Sequence, residues 1–163
     1  MTALKTLVFL IVVPGTVAGW VPHWLSRWQT GFPALELGVW RHVGWLLLLP
    51  GVAVLLWSVF QFAVEGQGTP APIDPPKRFV ATGLYRFVRN PMYVGVLSAV
   101  VGQGFLYESW NVFAYAAILW GVFNAFVVFY EEPTLRRTFG DEYAAYCRTV
   151  PRWIPRLRPA NSA

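Results

Sequence analysis

Acidic and basic side chains are missing from four long stretches of this chain. Residues 6–26, 43–64, 90–107 and 109–130 contain no Asp, Glu, Lys or Arg across 21, 22, 18 and 22 positions respectively. About 20 apolar residues at 1.5 Å each cross a hydrocarbon layer of ~30 Å, so each run is the length of a transmembrane helix. Composition agrees: 56% of residues are hydrophobic and 13% charged, with a mean hydropathy of +0.45. A water-soluble domain carries about 25% charge. These values exclude a disordered chain and argue against a nucleic-acid binder. The expected fold is all-α and integral to the membrane. It comprises four transmembrane helices near 4–24, 42–64, 91–107 and 110–130, a polar loop, and a C-terminal amphipathic helix at the interface. Residues 1–163 then form one membrane domain, with two spans in 1–64 and the chemistry in 65–157. A cleaved signal peptide is the competing account of the first run, because Lys5 precedes it and Val17-Ala18-Gly19 are small.

Basic residues give the direction. Lys5, Lys77, Arg78, Arg86, Arg89, Arg136, Arg137, Arg148, Arg152, Arg156 and Arg158 fall on one side of a four-span arrangement, and only Arg27 and Arg41 on the other. The positive-inside rule puts both termini and the loop 65–90 in the cytoplasm, with the protein in the inner membrane. Trp20, Trp24, Trp28, Trp40, Trp45 and Trp110 gather toward the opposite face as an aromatic belt. The lone Cys147 rules out an intramolecular disulfide framework and any Cys-rich metal site, and the pair His23 and His42 leave little for a His-based metal centre. Gly15 and Gly19 have the GxxxG spacing that lets helices approach closely in lipid. Pro50-Gly51 predicts a kink in the second span. Gly102-Gln103-Gly104 lacks the surroundings of a dinucleotide loop and reads as packing.

Three segments on the basic side are more than connectors. The loop Glu65–Asn90 carries Pro70, Pro72, Pro75 and Pro76, a stiffened backbone long enough to fold over a site. In Arg89-Asn90-Pro91-Met92-Tyr93, Asn90 suits an N-cap and Pro91 a first helical residue. Arg89 opposes the helix dipole there, and either meets lipid phosphate or holds an anionic ligand with the free N–H groups. Glu131-Glu132-Pro133 puts two acids at the disfavoured end of a helix, as a functional pair or as partners of Arg86, Arg89 or Arg136. Beyond Pro133, Leu135, Phe139, Tyr143, Tyr146 and Val150 recur at helical spacing. Together these offer carboxylates, arginines and tyrosines, but no evident nucleophile or imidazole base. Such a set suits positioning of an already reactive donor against a hydrophobic acceptor.

The run Gly83-Leu84-Tyr85-Arg86-Phe87-Val88-Arg89-Asn90-Pro91-Met92-Tyr93-Val94-Gly95 carries a resemblance to a known family. So do Glu131-Glu132-Pro133, Phe139-Gly140, Tyr143, Tyr146 and Pro151-Arg152-Trp153-Ile154-Pro155. Over residues 65–157 the chain resembles the isoprenylcysteine carboxyl methyltransferase and phospholipid methyltransferase superfamily. The resemblance implies a membrane enzyme that uses S-adenosylmethionine, with no soluble Rossmann domain. It implies a cofactor site lined by Tyr85, Arg89, Asn90, Pro91, Tyr93, Glu131, Glu132, Tyr143, Tyr146 and Arg152, of which Arg89, Glu131 and Glu132 are the catalytic candidates. The prenylcysteine enzymes usually have His where Asn90 stands, so Asn-Pro-Met-Tyr looks more like the phospholipid enzymes. The implied acceptor is a lipid or small hydrophobic molecule, such as a prenylcysteine carboxylate or a phospholipid amine, and the implied partner is the membrane rather than nucleic acid. Two other classes compete: a non-catalytic membrane scaffold that kept the fold, and a small transporter or channel subunit. The transporter would use Ser58, Gln61, Ser98, Gln103 and Asn124, the polar residues inside the spans.

Overall fold

A computed structural model describes residues 12–27, 35–65 and 79–160. The described residues are helical, without strands. A π-turn at Thr16–Trp20 runs into a short helix, α1 (Val21–Ser26). A 3-10 turn at Gly38–His42 leads into α2 (Val43–Glu65), and a second at Gly83–Arg86 precedes α3 (Pro91–Leu106). A tight turn then gives α4 (Trp110–Phe126), a π-turn at Val127–Glu131, and α5 (Glu132–Thr149). The stretches Gly38–Gln61 and Trp110–Thr149 are long and apolar enough to cross a bilayer, and Pro91–Leu106 is a shorter apolar helix. At 1.5 Å per residue α3 is ~24 Å long, shorter than a hydrocarbon layer. Leu46, Leu49, Trp57, Phe60, Ile118 and Phe129 all point outward and are largely exposed. An exposed apolar girdle of that extent needs lipid as its solvent, and the protein is an integral membrane protein. The prolines of the loop, the first eleven residues and Trp28 lie outside the described residues.

Small residues set the packing. Leu55, Val59, Val96, Val100, Val112, Ala116 and Leu119 form the core between α2, α3 and α4. On α2 and α3, Gly44 faces Gly102 and Gly51 faces Gly95, so the two helices run antiparallel and touch through backbone. A Cβ at Gly51 would sit 2.8 Å from Ala99 N and from Gly95 O, and one at Gly102 would sit 2.7 Å from Gly44 O and Leu48 N. On each helix the two glycines are seven residues apart, two helical turns, so both contacts repeat on one face. Gly15 and Gly19 have nothing within 4 Å and are exposed, so the GxxxG spacing is not a helix crossing among the described residues. Gly104 packs on Phe113, in keeping with the packing role expected of Gly102-Gln103-Gly104. The helix α2 continues through Pro50 as one element.

The polar residues inside the spans serve the fold. The π-turn at Thr16–Trp20 leaves carbonyls for side chains: Tyr115 Oη donates to Val17 O (3.0 Å) and Gln103 Nε2 to Ala18 O (2.5 Å). Ser58 Oγ donates to Val54 O and Ser98 Oγ to Leu47 O. At the end of α3, Glu108 adopts φ +50°, the one non-glycine residue with positive φ among those described. Its Oε1 accepts from Leu37 N (2.8 Å) and Gly38 N (3.2 Å), and Arg41 lies 3.8 Å away. Glu108 thus clips the start of the Gly38–His42 turn to the α3–α4 corner. Glu108→Ala is expected to lower stability by about 1–2 kcal/mol, read by thermal unfolding in detergent. Glu108→Gln keeps an acceptor and should lie between; an unchanged melting curve for the alanine variant would refute the clip.

Candidate functional site

The turn before α3 is built by a glycine and a glutamine. Gly83 has φ +51°, and a Cβ there would collide with the Gln61 side chain. Gln61, buried on α2, donates to Thr82 Oγ1 (2.9 Å) and accepts from Leu84 N (3.4 Å). The following residues are then held from the other side by the C-terminal segment 150–160. Arg89 N donates to Pro151 O (2.9 Å), Arg156 N to Phe87 O (3.0 Å) and Ala160 N to Arg86 O (3.0 Å). Arg86 Nε donates to Ala160 O (2.8 Å). Asn90 occupies the N-cap position with Pro91 as the first helical residue, but its side chain caps nothing. Its Nδ2 instead donates to Arg152 O (3.1 Å), tying the C-terminal strap to the start of α3.

Two polar clusters meet at this end of the bundle. In the first, Glu132 receives two guanidinium groups. Arg89 Nη1 donates to Oε1 (2.9 Å), Arg152 Nε to Oε1 (2.7 Å) and Arg152 Nη2 to Oε2 (2.9 Å). The side chains of Arg89 and Glu132 are only 13% and 8% exposed. The expected pairing of the acids with Arg89 therefore occurs at Glu132, whereas Arg86 turns to Ala160. Two cations face one carboxylate, so a positive charge is left over. The hydrogen bond from Arg152 to Glu132 raises the Arg152 pKa above its ordinary value, with burial working against it. Arg89 also donates from Nη1 to Cys147 Sγ (3.0 Å), while its buried Nε has no hydrogen-bond partner.

In the second cluster, Tyr93 Oη donates to Glu131 Oε2 (3.0 Å). The Tyr93 ring lies 4.7 Å from that of Phe123 and 6.4 Å from that of Trp153, centre to centre. Trp153 Nε1 donates to Asn124 Oδ1 (3.0 Å). Adjacent side chains on a helix diverge by about 100°, so Glu131 and Glu132 serve different partners. The π-turn that ends at Glu131 sets the phase at which they emerge. A third set braces the pair: Phe79 packs on Phe139, Tyr143 and Tyr146 at 5.0–5.7 Å. Tyr146 Oη donates to Tyr85 O (2.7 Å). The apolar side of α5 is thus covered in part by Phe79, and α5 itself turns at Gly140 (φ 52°, ψ −123°).

All ten residues expected at the site fall at this end of the bundle, but not in one role. Arg89, Glu132, Arg152 and Asn90 form one hydrogen-bonded chain, and Tyr93 and Glu131 a second. Tyr85 and Tyr146 join through a backbone carbonyl, Tyr143 stacks beside them, and Pro91 is buried as the helix start. The sequence reading missed Cys147, Asn124, Phe123 and Phe79 as neighbours of the site. Asn124 carried a signal, as an amide inside an apolar span; Phe79 carried none.

A family model described as phospholipid methyltransferase matches residues 40–142. Protein-S-isoprenylcysteine O-methyltransferase B of Arabidopsis thaliana is 35% identical over 79 residues, covering 48% of this chain and 40% of that protein. Methanethiol S-methyltransferase of Pseudomonas deceptionensis is 30% identical over 148 residues, covering 85% of this chain and 53% of that protein. This chain spans about half the length of these curated relatives. Among solved structures, the eukaryotic intramembrane Ras methyltransferase ICMT (isoprenylcysteine carboxyl methyltransferase) superposes with a TM-score of 0.65 at 21% identity. The match covers 96% of this chain and 62% of that one, and shows a shared fold.

Proposed function

Since this chain belongs to the phospholipid methyltransferase family, we propose that it is a membrane-embedded methyltransferase acting from S-adenosylmethionine on a lipid or small hydrophobic acceptor. The observation that carries the reading is the pairing of the two clusters. An Arg89–Glu132–Arg152 group with surplus positive charge lies beside the Tyr93–Glu131 pair, whose carboxylate forms no ion pair among the described residues. A zwitterionic amino-acid moiety needs such a bipolar receptor, with cations for its carboxylate and an anion for its ammonium. The orphaned Arg89 Nε is a donor in want of an acceptor, and the donor set fits.

When bound, the cofactor supplies a methyl group already activated on a sulfonium. The protein's part is binding, orientation and exclusion of water. Arg89 and Arg152 hold the carboxylate; Glu131, aligned by Tyr93, holds the ammonium or a ribose hydroxyl. Tyr93, Phe123 and Trp153 form an aromatic wall suited to a cation or a purine. Glu132 keeps the two guanidinium groups together and is a positioning residue. A carboxylate or thiolate acceptor needs no base. An amine or thiol must lose a proton, and Glu131 is the carboxylate with capacity to take it. The acceptor enters sideways between helices, because a lipid leaves its leaflet only at great cost.

Four crossings with both termini and the site in the cytoplasm, within the inner membrane, complete the proposal. It is supported by the charge asymmetry and the clustering of arginines at one end. The region 65–157 is read as the catalytic part of one membrane domain. A small thiol is the second acceptor reading, favoured because the methanethiol enzyme matches over most of this chain, whereas the prenylcysteine enzyme matches over less than half.

Calorimetry of the full chain in lipid nanodiscs should detect S-adenosylmethionine. Arg89→Ala should weaken that binding by about 10- to 100-fold, the worth of a charge-assisted hydrogen bond. Wild-type chain that binds neither cofactor nor its demethylated product would favour the scaffold. Radiolabelled methyl transfer into a total lipid extract, set against transfer to methanethiol, separates the acceptors.

A further inference from the structure

We infer that the outer face of the C-terminal strap, residues 150–160, is a docking surface for anionic lipid at the surface of the bilayer that the bundle spans. The inner edge of the strap is committed to protein. Its ends, Val150 and Ala160, are buried, and its backbone bonds to residues 86–89. Between those ends the opposite edge carries Ile154, 79% exposed, and Leu157, fully exposed. Exposed arginines at 148, 156 and 158 flank them. After Glu142 the chain contains four arginines and no acid. Arg152 is used on Glu132 and Arg156 Nη1 also donates to Thr149 O (2.6 Å), so three exposed guanidinium charges meet no acid among the described residues.

Depth selects the occupant. Trp153, immediately before Ile154, reaches Asn124 on the last turns of α4, within a helix apolar enough to cross the membrane. Trp153 thus ties the strap to the last part of the charge-free run 109–130, and Ile154, next in sequence, is held close to that end of the apolar layer. Apolar side chains at that level, ringed by guanidinium groups, match the acyl–headgroup boundary, with arginine stems bridging the two. Each basic residue near an anionic surface adds a similar increment of attraction. A second copy of this chain would have to bring acids to this face. The surface is independent of what the site transfers. It bears on the site only because the same strap delivers Arg152 and Trp153.

The test uses full-length protein in nanodiscs of phosphatidylcholine alone or mixed with phosphatidylglycerol. Trypsin cleavage after Arg156 is followed by intact mass. Docking predicts cleavage about tenfold slower in the anionic discs. The I154S/L157S double variant should lose most of this difference while exposed to the same protease and lipid. Arg158→Gln, which leaves the aliphatic pair in place, should reduce it in part and guards against a misfolded double variant. Equal wild-type rates in both discs would overturn the proposal. So would protection that vanishes at one chain per disc, which assigns the face to a second copy.

Discussion

A Glu132→Gln chain is expected to lose about 3–5 kcal/mol of stability, the cost of leaving buried guanidinium groups without their counter-charge. Arg89 and Glu132 are almost wholly enclosed, while the Arg152 side chain keeps 34% of its surface, so the lower end of that range applies. An amide can still accept from one arginine, but its own N–H₂ then faces the other. Thermal unfolding in detergent, followed by tryptophan fluorescence, measures the loss. Cofactor binding should fall with it, because Arg89 and Arg152 would no longer be held together. Glu131→Gln is the informative contrast. Its carbonyl can still accept from Tyr93 and no cation is stranded, so stability should change by less than about 1 kcal/mol while methyl transfer is lost. Equal destabilisation by the two substitutions would show that the acids share one role.

The second large effect concerns backbone contact. Gly51→Ala, Gly95→Ala and Gly102→Ala should each cost about 1–3 kcal/mol, because the added methyl meets peptide atoms that cannot rotate away. At Gly95 those atoms are Gly51 O and Leu55 N, both 2.8 Å from the added carbon. Gly15→Ala and Gly19→Ala should be neutral, or stabilising by up to about 1 kcal/mol through helix propensity. Folded yield from membranes and detergent melting curves rank the five variants. A ranking in which Gly15 and Gly19 are the sensitive pair would show that the α2–α3 interface is wrongly assigned.

Those glycines also show what can be read from a chain without coordinates. The charge-free runs announced the helices, because burying a charge in lipid costs too much to be frequent. Asn-Pro announced the start of α3, because few residues fit that position. The Glu pair stood out by opposing its helix dipole. Gly15 and Gly19 meet no helix among the described residues, because GxxxG is a pattern within one helix and says nothing about what stands opposite. The glycines that matter form two pairs seven apart on two different helices, and they become a motif only when the helices are set antiparallel. The strap was harder still. Its bonds run from irregular backbone to irregular backbone, which leaves no periodicity, and the use of Asn90 to grip it is hidden by a residue that already makes sense as a cap.

The wide turn at Val127–Glu131 carries a consequence of its own. A helix that accommodates a surplus residue there keeps its axis but advances everything downstream by about 100°. Arithmetic of chain length, more than the identity of any side chain, therefore decides which acid greets Tyr93 and which greets the arginines. Winding the same residues as regular α-helix would rotate both acids by about 100° away from their partners, whereas deleting one valine together with the bulge would return them to the same phase. The wide turn therefore aims the two acids together, and whatever straightened it at full length would turn both aside at once.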